Sequence, residues 1–138
     1  MIILDTNVLS EALRPEPDAA VMAWLAAQST AAMFTTTVTR ADLLYGVGLL
    51  PAGRRHDDLH AAVVAILDED MAGRVLPFDK DAADAYADIA VARKRAGQPL
   101  SQFDAMIAGI ARSRGATVAT HNSSDFVDCG IELANPWA

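Results

Sequence analysis

Short apolar runs alternate along this chain with stretches in which apolar residues recur every three or four positions, a pattern that predicts strands separated by helices. Ile2, Ile3 and Leu4 read as a buried strand that ends at Asp5-Thr6-Asn7, a helix start. A first helix over residues 8–13 stops ahead of Pro15, and Pro17 with Asp18 opens a second, in which Val21, Trp24, Leu25 and Gln28 mark one face. The threonine-rich residues 33–37 suit a second strand. Thr39 then reads as the N-cap of a helix that carries Asp42 and Leu43-Leu44-Tyr45-Gly46-Val47 and ends near residues 51–53. Leu59, Val63, Ile66 and Leu67 keep the helical spacing, so residues 54 to about 71 form one more amphipathic helix, paired with its predecessor in a hairpin beside the sheet.

Residues 74–77 supply a third strand, and Asp79 or Asp81 caps a long helix that runs to Arg95 and ends at Gly97-Gln98-Pro99. Ser101 caps a helix over residues 103–114, stopped by Gly115; residues 117–120 form a strand, Ser124 and Asp125 begin a turn or short helix, and residues 131–133 form a last strand. Strands alternating with helices over 138 residues predict one domain, residues 1–138, folded as a three-layer α/β/α sandwich around a mainly parallel sheet. A chain of this size buries roughly two-thirds of its unfolded surface, enough for one core. It contains no internal repeat, linker or low-complexity segment.

Composition narrows the class. Hydrophobic residues make up 52% of the chain, much of it alanine, against 8 glycines and 6 prolines, as expected of a helix-rich globular protein. The three apolar residues ahead of Asp5 have no basic segment before them and do not make a signal peptide. The longest uncharged apolar stretch, residues 19–27, is far shorter than the roughly 20 residues that cross a bilayer, so a soluble, cytoplasmic protein without a membrane partner is expected. The lone Cys129 has no partner for a disulfide or for zinc and fits a small buried side chain in a reducing compartment. A net charge of −7 argues against nucleic-acid binding through a broad basic face. It leaves open a nuclease whose phosphate is met by metal, and it suits a basic protein partner.

The candidate chemistry lies in carboxylates spread along the chain. Functional groups of a parallel sheet gather beyond the carboxyl ends of its strands. Asp5 ends the first strand, Asp42 follows the second, Asn122 and Asp125 follow residues 117–120, and Asp104 opens a helix, so all can converge there. Each alone has a structural role: Ser101-x-x-Asp104 and Thr39-x-x-Asp42 resemble capping boxes, Asn122 can shape a turn and Asp125 can cap the next segment. Brought together, they repel unless a cation stands between them. Short carboxylates suit magnesium or manganese, whereas His56, His60 and His121 show no compact zinc arrangement.

Five segments carry a resemblance to a known family: Leu4-Asp5-Thr6-Asn7-Val8-Leu9-Ser10-Glu11, Asp42-Leu43-Leu44-Tyr45-Gly46, Asp104-Ala105-Met106-Ile107-Ala108, Thr117-Val118-Ala119-Thr120-His121-Asn122 through Asp125-Phe126, and Asn135-Pro136-Trp137. Over essentially its whole length the chain resembles the PIN-domain ribonucleases, and within them the VapC and FitB type toxins of bacterial toxin–antitoxin pairs. The resemblance implies a PIN-like fold and an endoribonuclease dependent on Mg2+ (or Mn2+), the toxin of a type II pair, that hydrolyses RNA phosphodiesters with metal-activated water. Asp5 and Asp104 match the family's central metal ligands, Asp42 its usual glutamate, Asn122 or Asp125 its fourth acidic position, and Thr6 its hydroxyl beside the first aspartate. It also implies a homodimer and a small antitoxin that covers the active site, often with a basic side chain among the carboxylates, and no direct DNA binding without that antitoxin.

The chain departs from the pattern where Asp42 is a methylene short of glutamate, where His121 replaces a frequent arginine and where Asn122 lacks charge. These departures define the alternative: a catalytically weakened PIN-like domain that binds RNA or a protein partner without cleavage. Arg40, Arg93-Lys94-Arg95, Arg112 and Arg114 are candidates either for RNA contact or for solvated helix ends. A haloacid dehalogenase type phosphatase needs an aspartate where Asn7 stands, and a nucleotide-binding Rossmann domain needs a glycine-rich first turn that Asp-Thr-Asn does not supply.

Overall fold

Five strands, β1 (Ile2–Leu4), β2 (Met33–Thr36), β3 (Val75–Leu76), β4 (Thr117–Ala119) and β5 (Glu132–Ala134), build one sheet in the order β3-β2-β1-β4-β5 in the computed structural model of residues 1–138. Every pairing is parallel, with Ile3 opposite Phe34 on one side and Val118 on the other. Side chains alternate across a strand, so the inner strands feed two cores. Ile3, Val118 and Leu76 enter a cluster with Ala82, Ile89, Ile107 and Ile110 from α5 (Lys80–Arg95) and α6 (Gln102–Arg114). Leu4 and Ala119 enter the opposite cluster, which takes Val8 and Leu9 from α1 (Thr6–Ala12), Val21 from α2 (Ala19–Ala27), Leu43 and Val47 from α3 (Thr37–Gly48) and Val63 from α4 (Arg54–Ala65). These are the three layers of an α/β/α sandwich. No helix is long and apolar enough to cross a membrane.

Helix boundaries follow their caps. The Asp18 carboxylate accepts from the N–H groups of Ala20 and Val21, Asp79 from Ala82, and the Ser101 hydroxyl from Asp104, while Gly115 closes α6 at φ 64°, a left-handed conformation that favours glycine. Thr39 is not a cap. The strand runs straight into α3 at Thr36, whose hydroxyl accepts from the Thr39 N–H at 3.1 Å, so Thr39 is buried in the first turn and Asp42 sits one turn deeper than a capping box would place it. The single helix expected to about residue 71 likewise divides: after Ala65 the backbone widens into a π-helical turn, Ile66–Asp70, closed by the Met71 N–H on Ile66 O at 2.8 Å. Leu67 and Met71 both remain buried across it. The last strand starts one residue later than its pattern predicts, at Glu132.

Helices α5 and α6 touch at backbone distance at Gly109. A Cβ there would stand 2.7 Å from Ala82 O and 2.9 Å from Tyr86 N, and neither backbone atom can swing aside as a side chain could. Gly109→Ala is therefore expected to destabilise the fold by about 1–3 kcal/mol despite the better helix propensity of alanine. An unchanged urea midpoint in the variant would show that the two helices slide apart freely.

Candidate active site

The parallel register places Asp5 and Thr120 side by side, each one residue beyond the pairing of Leu4 with Ala119, and the Asp5 N–H continues the ladder to Ala119 O at 3.0 Å. At this strand end the Asp5 carboxylate is 4% exposed and fully engaged. One oxygen accepts from the Thr6 N–H at 2.8 Å; the other accepts from the Thr120 hydroxyl at 2.8 Å and the Asn7 side-chain amide at 3.3 Å. Asn7 in turn accepts from the His121 N–H at 3.2 Å, and the Thr120 hydroxyl accepts from the Asn122 N–H at 3.1 Å. The loop after β4 is thus fastened to the loop after β1 around one carboxylate. The Thr6 hydroxyl donates to Thr39 at 3.2 Å, and Thr39 lies within 3.4 Å of Thr36, so buried hydroxyls run on beneath α3.

Above this floor opens a cleft of about 460 Å³ that brings Asp5, Thr6, Asp42, Asp104 and Asn122 together with Phe103, His121 and Trp137. Asp104 reaches it from the first turn of α6 and Asp42 from the second turn of α3. Asp125 lies outside the lining residues, exposed in the 3-10 turn Ser123–Phe126, yet its charge is felt by Asp104. Burial pushes the Asp5 carboxyl above its ordinary value, against the pull of Thr120 and Thr6, and the charges of Asp104 and Asp42 push it further. Asp104 is raised by burial first and then by Asp125 and Asp42. The four aspartates therefore share one field. All their donors are oxygens, but no three Asp, Glu, His or Cys side chains stand close enough to enclose a single ion. The donor set fits a hard cation that keeps most of its waters and takes one or two carboxylates directly, as magnesium does.

The raised values carry a sign for stability. A carboxyl that holds its proton more tightly folded than unfolded adds most to stability at low pH and loses that contribution as pH rises above the ordinary 3.8. Asp5→Asn removes this loss, so in metal-free protein the variant should gain melting temperature over wild type progressively as pH rises above 3.8. A constant difference between the two melting curves over that range would contradict the assignment.

Basic residues are few here and mostly occupied. Arg14 lines the cleft but pairs with the buried Glu11 at 3.1 Å, Arg40 pairs with Asp68 at 2.7 Å and Arg114 with Asp79 at 3.6 Å. Arg93 neither ends in solvent nor faces the cleft. It is 7% exposed, with Nε donating to Gln98 O at 2.7 Å and Nη1 to Asp125 O at 3.1 Å and to Val127 O. It ties α5 to the segment that carries Asn122 and Asp125.

Residues 2–130 match the family model described as PIN domain. The chain belongs to the PIN-domain family. Over 137 residues it is 40% identical to the VapC ribonuclease Y4jK of Sinorhizobium fredii, covering 99% of this chain and 98% of the relative, and 38% identical to Toxin FitB of Neisseria gonorrhoeae, covering 99% of each. The crystal structure of FitAcB from Neisseria gonorrhoeae superposes with a TM-score of 0.92 at 38% identity, over 99% of both chains. This PIN domain has the five-stranded parallel sheet and flanking helices that the sandwich pattern predicts. Sequence reasoning passed over Thr120 as a site residue and over Arg93 as a fastener. Thr120 is signalled only once β4 is known to pair with β1, because the residue after each strand then meets its counterpart.

Proposed function

We propose that this PIN-domain protein is a magnesium- or manganese-dependent endoribonuclease, the toxin of a type II toxin–antitoxin pair. The observation that carries the reading is the buried, fully hydrogen-bonded Asp5 carboxylate in a cleft it shares with Asp104, where burial first and then the charges of Asp104 and Asp42 raise the Asp5 proton affinity. Asp5 and Asp104 would hold a divalent ion there, which would offset that charge and lower the pKa of a water it carried. The chain's own residues set its place. Thr120, Asn7 and the Thr6 N–H fix both oxygens of Asp5. Asp104, at a helix N-terminus, is held by the positive end of α6. Asp42 and Asn122 face the same space, Asp125 adds negative charge from the rim, and the Thr6 hydroxyl lies beside the first aspartate. The relatives named ribonuclease and toxin support this reading. Cleavage of a mixed pool of structured RNAs, present with magnesium or manganese and abolished by chelator, tests it.

The cleft also opens into an apolar groove of about 980 Å³ between α1, α3 and α4, with Thr6, Ser10, Arg14 and Asp42 common to both. A small antitoxin laid along this groove would reach the carboxylates with a basic side chain. A cytoplasmic homodimer, with DNA contacted only through that antitoxin, completes the reading.

One observation favours a second reading, a weakened domain that binds without cutting: no three acidic groups are close enough to share an ion. The reach of Asp42 separates the two. Asp42→Glu adds one methylene toward the cleft, and on the nuclease reading it should raise activity at low magnesium several-fold. Binding of RNA without cleavage by either chain would favour the weakened domain.

A further inference from the structure

Trp137 and His121 stack at the mouth of the cleft, with ring centroids 4.2 Å apart and planes 10° from parallel. The pair is built, not casual. Trp137 packs against the core cluster of α1–α4, and its backbone N–H donates to Asn135 Oδ1 at 3.0 Å; the His121 backbone N–H donates to the Asn7 side chain at 3.2 Å, the same amide that holds Asp5. Trp137 is half-buried, whereas His121 is exposed. With one face on the indole, the imidazole turns its other face to solvent, and both rings line the acidic cleft, which Phe103, 44% exposed, also lines.

We infer that the His121–Trp137 stack is a nucleobase platform, on which an unpaired base next to the reacting phosphate continues the pile as a third ring. This rests on the reading of the cleft as an RNA site. The one arginine or lysine lining the cleft, Arg14, is paired with Glu11, so little cationic charge is free there to hold a polyanion and affinity must come from elsewhere. Base stacking supplies it without regard to charge, and it is available only to bases that are not paired. A platform already stacked in the free protein loses little side-chain entropy on binding. The predicted ligand is therefore single-stranded or looped RNA, and paired duplex is excluded because its bases are stacked on each other.

The test uses the Asp104→Asn chain in magnesium, so that RNA stays intact, and short unpaired oligoribonucleotides carrying 2-aminopurine at successive positions. One position should lose fluorescence on binding. His121→Ala in that background should abolish the quench and weaken binding about tenfold, and His121→Phe should restore both. The same oligonucleotide annealed to its complement should show neither effect. Quench and affinity equal in His121→Ala would overturn the platform, as would an oligonucleotide that binds neither chain. Cleavage by the unsubstituted protein is scored separately: quench without cleavage leaves the platform standing and removes the nuclease, whereas cleavage without quench does the reverse.

Discussion

Asp104→Asn should lower metal-dependent RNA cleavage by about a hundredfold to a thousandfold, the usual loss when one preorganised electrostatic group is removed from a reaction centre. The fold should be untouched. The Ser101 hydroxyl caps α6 by accepting from the backbone N–H of residue 104 at 3.2 Å, a bond that asparagine retains. Burial and the charges of Asp125 and Asp42 make the ionised carboxylate unfavourable in the metal-free protein, so removing the charge should hold or raise the melting temperature. The pairing of lost activity with retained stability is the signature of a functional carboxylate; a structural cap would lose both or neither. A variant that cuts the same RNA at the wild-type rate would end the assignment of Asp104.

Arg93→Met should be the mirror image, a loss of stability that carries activity with it. The guanidinium is buried with no carboxylate in salt-bridge range, and its hydrogen bonds go to the carbonyls of Gln98, Asp125 and Val127. Bonds from a charged donor are worth about 1.5–3 kcal/mol each, and losing them leaves carbonyls without a partner; relief from burying the charge offsets part of this, for a net cost of about 2–4 kcal/mol. For a domain of this length that is a fall of about 10 °C in melting temperature. Arg93→Lys should recover only part of it, because one ammonium cannot reproduce the planar fork that spans two elements. A melting temperature within a degree or so of wild type for Arg93→Met would show that the segment after β4 is held by its packing alone.

What the sequence displays follows from how local each signal is. β1, α6 and β4 are legible because a short apolar run or a helical period sits between strong punctuation, Asp5 after Leu4, Ser101 before Gln102 and Gly115 after Arg114. The start of α3 is not, because Thr35, Thr36, Thr37 and Thr39 are all chemically able to cap, and only the length of β2 selects Thr36. The π-helical turn at Ile66–Asp70 is invisible for a related reason, since it keeps apolar residues four apart as an α-helix does. Strand order is a property of pairing, which no local pattern records. Thr120 thus becomes a partner of Asp5 only in the folded sheet, whereas Asn7, two residues on, is near it in the sequence already; Arg93, read from its neighbours as part of a basic helix end, is drawn inward by carbonyls more than thirty residues away.

The central position of β1 and β4 in the sheet has a consequence for when the protein can act. β1 is made long before β4, and the carboxylate that follows the one is fixed by the hydroxyl that follows the other, 115 residues downstream. A chain still being translated, or one truncated before Thr117, holds Asp5 without its clamp and lacks the strand that pairs with β1 on the side away from β2. The cleft is therefore assembled only after translation has passed Thr120, and under the proposed function a restraining partner would need to recognise only chains that have reached that point.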